Sequence, residues 1–299
     1  MGKKVQEIMV DDIMERINSG ELLPWQKAWN LPGGFPRNAV SCKEYRGFNL
    51  LWLTCQGYSN PFWLTWNQIK NLGGHLKEGS RHTKVIFFKI NRKDDVSDEG
   101  EIVERAWPLM RFYRVWNLEQ TEGVKLPKKA QAILSSASGP KFNHTPIEEC
   151  ERIWEDFEHR PKLEFGKNPC YIPSKDTIGM PEIGQFSLVH EYYSSLFHEM
   201  GHATGHWTRL DRKELSYAKE ELVAEITACF LCGRAGIEKH ILDNSAAYID
   251  TWRKRISEDP KLVFQAATLA QKAYDHIIGQ TAAEPGLESD GEDEMKEAV

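Results

Sequence analysis

Cysteine is scarce and scattered: six in 299 residues, with no second Cys pair at zinc-ribbon spacing. A chain of this length with so few thiols is not a disulfide scaffold, and a reducing compartment is expected. No apolar run approaches the about 18 residues of a membrane span, and tracts such as residues 50–55 are core-sized. The first seventeen residues carry charges every few positions, so no signal-peptide core is expected there. Gln6 stands where a myristoylation signal needs Ser or Thr. Secreted, membrane and disulfide-rich classes fall away, leaving the expectation of a cytoplasmic protein with no membrane partner. The composition is ordinary globular material, 40% hydrophobic and 27% charged. At roughly 150 residues per domain, the length points to two domains.

The net charge of −6 conceals an asymmetry. Residues 1–129 hold 20 Lys and Arg against 15 Asp and Glu, a net of +5, which leaves −11 for the remainder. Residues 284–299 account for −6 of that and lack aromatics, so a disordered acidic tail is expected. Seven of the ten tryptophans precede residue 130. A stretch rich in Pro, Ser and Lys at 126–146 separates the two halves. The expected layout is one domain over 1–129, a linker over 130–146 and a second domain over 147–283. In the first, residues 5–17 have helical spacing, and β-branched and aromatic runs at 84–91 and 102–117 flank an acidic hairpin loop. In the second, helices are expected over 192–205, 217–233, 245–256 and 261–278, with a strand within 170–181 ahead of them. The fold class is therefore α+β in two domains, the second mainly helical.

His198-Glu199-Met200-Gly201-His202 forms an H-E-x-x-H motif. Residues four apart on a helix share a face, so His198 and His202 can present ring nitrogens to one metal ion. Glu199 is turned about 100° away, where it can take a proton from water at the ion's open position. Tyr193, Leu196 and Phe197 supply the helix's apolar side, with Ser187 as its expected cap and Gly205 as its end. A metzincin reading needs a third His at position 208, which is Thr. The next helix, around residues 220–232, is apolar nearly all round, so carboxylates within it need compensation. Glu221 and Glu225 are four apart on one face; Glu221 is assigned as third ligand and Glu225 as its support. The reverse assignment stays open, and behind it Glu220 or His206 as ligand. Tyr217, one turn before Glu221, can reach the site to stabilise an oxyanion, packing being its other reading. Cys229 and Cys232 sit on the buried helix and read as small core residues. The 170–181 strand is a plausible cleft wall, since an edge strand pairs readily with an extended peptide. A metal-dependent nuclease is disfavoured, because no acidic two-metal cluster stands out.

In the first half, aromatics alternate with cations. Trp25 and Trp29 flank PWQKAW, Tyr45-Arg46-Gly47-Phe48-Asn49 mixes stacking and charged residues, and Trp63 and Trp66 precede a glycine-rich turn carrying Lys77. Single-stranded nucleic acid needs this mixture, π-faces for bases and cations for phosphates. Core packing explains tryptophans equally well.

PWQKAW, YRGFNLLWL, PFWLTWNQIKNLGGHLKEG and FYRVWNLEQTEG resemble the amino-terminal single-stranded-DNA-binding domain of the ArdC antirestriction family. YIPSKDTIGMP, EYYSSLFHEMGHATGHWTRLDR, SYAKEELVAE and AAYIDTWRKRI resemble the zincin-like peptidase domain that follows it. The resemblance implies a conjugative-plasmid protein that shields incoming DNA from host restriction by binding single strands. It carries over Tyr45, Arg46 and Asn49 as DNA contacts, then Trp25, Trp66 and Lys77. It also implies a zinc peptidase with His198, His202 and Glu221 as ligands and Glu199 as general base, Mn²⁺ being the alternative ion. Restriction proteins or other DNA-bound proteins are the expected peptidase substrates. The rival expectation is a DNA-coating protein whose metal is only structural.

Overall fold

A computed structural model of the chain describes residues 5–18, 34–96, 102–137, 146–237, 246–259 and 261–280. The acidic tail and Trp25 lie outside the described residues. The fold is α+β in two domains. The chain opens with α1 (Val5–Asn18), followed by the short strand β1 (Arg37–Asn38) and α2 (Gly47–Thr54). Strand β2 (Phe62–Thr65) runs into α3 (Trp66–Asn71), and β3 (His75–Leu76) follows. A long hairpin of β4 (Thr83–Val96) and β5 (Ile102–Asn117) leads to β6 (Thr121–Glu122). Strands β1, β2, β5 and β4 lie in that order in one sheet, and β3 pairs with β6.

The hairpin ladder continues out to Val96 opposite Ile102. The acidic segment expected to be a loop from residue 92 is thus strand as far as residue 96. Ladder hydrogen bonds come from backbone groups, so an acidic sequence does not by itself bar strand pairing.

The expected linker departs further. Residues 128–137 form α4 (Lys128–Ala137), and Ala130 is fully buried with Phe62, Leu64 and Ile69. Small residues at helical spacing gave this stretch a packing face despite its loop-like composition.

The second half adds α5 (Pro146–Asp156) and a three-stranded sheet of β7 (Lys162–Phe165), β8 (Cys170–Ile172) and β9 (Thr177–Met180), ordered β7-β9-β8. Among the described residues four helices follow: α6 (Val189–Ala203), α7 (Tyr217–Ala235), α8 (Ala246–Glu258) and α9 (Leu262–Ile277). Helix α6 starts three residues before the expected point, and Leu188 rather than Ser187 occupies its N-cap position. The Leu188 amide instead donates to the Glu191 carboxylate at 3.4 Å.

The two halves share their largest core. Met9 and Ile13 of α1 and Phe48, Leu51 and Trp52 of α2 are buried in one cluster with Phe197, Phe230 and Phe264. Phe48 lies 4.2 Å from Phe264 between ring centroids, and Gly47 N–H donates to Gln271 Oε1 at 2.8 Å. A boundary at residue 129 therefore separates the sheets, whereas α1 and α2 pack on the helices of the second half.

Candidate metal centre

Helix α6 buries Tyr193, Leu196, Phe197 and Met200, which turns His198, Glu199 and His202 toward α7 and the small sheet. Helix α7 is buried along Leu222–Cys232, as expected of a stretch apolar all round, with Cys229 and Cys232 fully inside. The two helices meet backbone to backbone at Gly201. A Cβ there would stand 2.8 Å from Ala224 Cα, so only glycine permits this approach. Ala224 lies between Glu221 and Glu225 in sequence, and the close crossing is what brings both carboxylates within reach of the histidines.

His198 Nε2 and His202 Nε2 are 3.1 Å apart. Glu221 lies 3.7 Å from the first of these nitrogens and 3.6 Å from the second. Two donors held about 2.1 Å from a tetrahedral ion stand roughly 3.4 Å from each other. The three side chains thus fit one cation. Two imidazole nitrogens turned on each other beside a carboxylate, largely out of water, are a donor set that a cation compensates. Among the described residues, these three form the metal-capable group, and His206 stands outside it with Nδ1 2.7 Å from Thr208 Oγ1.

Each histidine has a carboxylate behind it. Glu225 lies 3.4 Å from His198 Nδ1 and Glu220 lies 3.6 Å from His202 Nδ1. Such partners fix ring orientation and strengthen the imidazole as a ligand. Glu220 is clamped by Arg212, whose Nε and Nη2 donate to its two oxygens at 3.0 and 2.7 Å. Arg212 also donates to Thr204 Oγ1 at 2.7 Å and to the Gly201 carbonyl at 2.8 Å. Burial pushes the Glu220 carboxyl up, but hydrogen bonds from His202 and Arg212 hold it below its ordinary value. Sequence reasoning passed over Arg212 because an arginine after a helix end reads as solvated; its role depends on folding back over α6.

Glu199 is buried and outside the ligand group. Burial raises its carboxyl above the ordinary range, against the pull of His202 and a backbone hydrogen bond from Tyr171. Tyr171 is the middle residue of β8, an edge strand, so its backbone faces Glu199 rather than β9. The strand is pinned by Arg209, another residue the sequence did not mark. Arg209 donates to Asp176, the Tyr171 hydroxyl, and the carbonyls of Ala203 and His159. Tyr217 is largely exposed, and the neighbouring Glu221 carboxylate raises its phenol by charge and hydrogen bond.

Residues 148–269 match the zincin-like metallopeptidase family, and residues 3–116 match the N-terminal domain of the anti-restriction factor ArdC. The antirestriction protein ArdC of plasmid R388 is 31% identical, with 94% of this chain and all of that one covered at a TM-score of 0.71. The chain belongs to the ArdC antirestriction family. The R388 protein has also been solved with Mn(II) bound; that structure is 30% identical and covers 92% of this chain and 97% of its own, at a TM-score of 0.69. An Escherichia coli relative named DNA primase TraC is 32% identical over 92% of this ArdC-family chain. The chain spans only 20% of that primase, and 27% of a second TraC that is 31% identical. A Sinorhizobium fredii protein, y4eC, is 29% identical, with 90% of this chain and 92% of y4eC covered.

The expected DNA contacts do not come together. Tyr45 is buried in the core with Trp63 and Val85. Asn49 is buried, its amide donating to the Ile86 carbonyl at 2.7 Å and accepting from the Ile86 amide at 2.8 Å. Arg46 forms an ion pair with Asp275 of α9. These three side chains hold the fold together: the alternation that suggested a nucleic-acid strip runs from an extended segment at Tyr45 and Arg46 into the buried helix α2. Trp66 is exposed, and Lys77 donates to the Glu119 carbonyl at 2.8 Å.

Proposed function

We propose that this chain hydrolyses peptide bonds at the His198–His202–Glu221 centre and binds single-stranded DNA through its amino-terminal half. Together these would protect DNA entering a cell from restriction. The observation that carries the peptidase reading is Glu199: a carboxylate buried beside three ligands without being one of them. Burying an acid there is costly unless it has work to do. Structural metal sites fill their positions with protein ligands, whereas three ligands suit a hydrolytic one.

Zn²⁺ is the ion favoured for this donor set, with Mn²⁺ the alternative. When bound, it supplies Lewis-acid polarisation of a carbonyl and a more acidic water. His198 and His202 are oriented by Glu225 and Glu220, so their ligating nitrogens are set before any ion arrives. Glu199 takes a proton from the attacking water and delivers it to the departing amine. An extended peptide lies along the edge strand β8 and takes the place of Glu199 on the Tyr171 backbone. Tyr217 can donate to the oxygen of the tetrahedral stage. Restriction proteins and other proteins on DNA are the substrates to be tried first. The plasmid setting of the R388 protein supports a role during DNA transfer.

The deciding variant is Glu199→Gln in the intact chain. Bound metal and single-strand affinity stay as in the wild type, while cleavage of a restriction protein falls by about 10²–10⁴. Cleavage at the wild-type rate refutes the peptidase reading, and loss of metal makes Glu199 a ligand. Protection of DNA in cells that survives this variant favours coating of the strand over hydrolysis.

A further inference from the structure

The amino-terminal half contains a cleft of about 420 Å³ walled chiefly by Trp66, Leu76, Tyr113, Arg114 and Trp116. That volume falls within the about 300–1,000 Å³ of ordinary ligand sites. Local structure explains how two large indoles come to share it. Thr65 and Gln68 form a reciprocal capping box at the start of α3, which fixes the backbone of Trp66 while leaving its side chain 42% exposed. Trp116 comes from β5, paired with Leu64 of β2, one residue short of that cap. The two rings are 6.2 Å apart at 54°, splayed rather than closed on each other. His82 packs against Trp116 at 5.9 Å.

The charged residue among the cleft's described lining is a cation, Arg114. Lys70 stands 4.9 Å above the Trp66 ring, and exposed Arg114 makes no ion pair among the described residues. Lys84, opposite Arg114 in the ladder, is tied to Asp12 at 2.8 Å. Among the described residues, no carboxylate lines the cleft. Burial first, then the cations Arg114 and Lys84, hold His82 below its ordinary pKa against the opposing pull of Asp12.

We propose that this cleft seats an unstacked nucleobase of a single DNA strand against Trp66, with the flanking phosphates on Arg114 and Lys70. The inference rests on the single-strand reading above and moves its site away from Tyr45, Arg46 and Asn49. An apolar ligand would have no use for Arg114, and a bare polyphosphate none for two indoles. A base inside a duplex has no free face to offer, whereas an unpaired one does.

The test uses the full chain, because α2 is packed against α9. Fluorescence anisotropy compares a labelled oligo-dT, the same oligomer with abasic sites, and inorganic polyphosphate as competitor. Wild-type protein binds oligo-dT more tightly than the abasic strand. Trp66→Ala weakens oligo-dT about 5- to 150-fold, the range of one lost stacking contact, and abolishes the preference over the abasic strand. Trp66→Phe restores most of the affinity. Arg114→Gln, at an exposed position that leaves the fold untouched, lowers the slope of log affinity against log salt by about 0.7. Wild-type binding that survives Trp66→Ala and Arg114→Gln overturns the cleft and leaves the single-strand reading standing. Equal affinity for the abasic strand, or displacement by polyphosphate alone at matched phosphate, also overturns it. A wild type that binds no single strand overturns both.

Discussion

Replacing Gly201 by Ala tests how the metal centre is assembled. The added Cβ would lie 2.8 Å from Ala224 Cα, 3.2 Å from its carbonyl oxygen and 3.3 Å from its Cβ. Carbon atoms pack at about 3.5–4.0 Å, so α7 has to retreat by roughly 0.7–1.2 Å. Two of the three obstructing atoms are backbone, and no rotamer change relieves them. Metal ligation tolerates errors of about 0.2 Å. The retreat draws Glu221 and Glu225 away from the histidines together, and affinity for Zn²⁺ or Mn²⁺ should fall at least about 10-fold. Stability supplies an independent sign. Gly to Ala inside an ordinary helix gains about 0.8–1.0 kcal/mol, but overpacking costs about 1–3 kcal/mol. The expected net is a loss of roughly 0–2 kcal/mol, the reverse of what helix propensity alone gives. Chelator competition measures the affinity, and thermal unfolding in excess chelator measures stability free of metal. A raised melting temperature with unchanged metal affinity would refute the reasoning, since the helices would then not be in contact at this residue.

Three further outcomes follow from the ion pairs that tie the fold together. Arg212→Ala strands the Glu220 carboxylate behind His202 and should cost about 3–5 kcal/mol in thermal unfolding, with weaker metal binding; unchanged values for both would make the clamp idle. Burial alone would raise the Asp176 carboxyl, yet hydrogen bonds from Arg209 and Tyr171 hold it below its ordinary value. Its folded pKa is therefore below the unfolded one, so its stabilisation is full above about pH 4 and lost as pH falls through the folded value. The gap in melting temperature between wild type and Asp176→Asn should close below that point, and a gap constant with pH contradicts the pairing. Arg46→Ala deprives the Asp275 carboxylate of its cation while Gln271 still donates to it, and with the Arg46 side chain 39% exposed the cost should be about 1–3 kcal/mol. Single-strand affinity of the folded variant, measured by anisotropy well below its melting point, should hardly change; a large loss would return Arg46 to the DNA-contact set.

The candidate metal centre was legible in the sequence to an unusual degree, because its spacing is local. His198 and His202 are one helical turn apart, and carboxylates at 221 and 225 inside an apolar helix demanded a partner. The helices of the second half were legible for the same reason, their periodicity being written over short windows. Short strands and the helix within the expected linker were less so, since a four-residue run such as Lys162–Phe165 is exposed along its length and carries no alternation to read.

What the sequence could not supply is whatever depends on elements distant along the chain. Tyr45, Arg46 and Asn49 look like a DNA strip until α9, more than two hundred residues away, is seen to claim Arg46. Trp66 and Trp116 are fifty residues apart and become one cleft only because β2 pairs with β5. Arg209 and Arg212 acquire meaning when the loop after α6 folds back over it. Side-chain chemistry and helical period are properties of neighbouring residues, and the sequence by itself determined the candidate ligands and base. Burial and charge compensation are properties of the packed chain, so the tertiary structure alone decided which cations are structural and which face solvent.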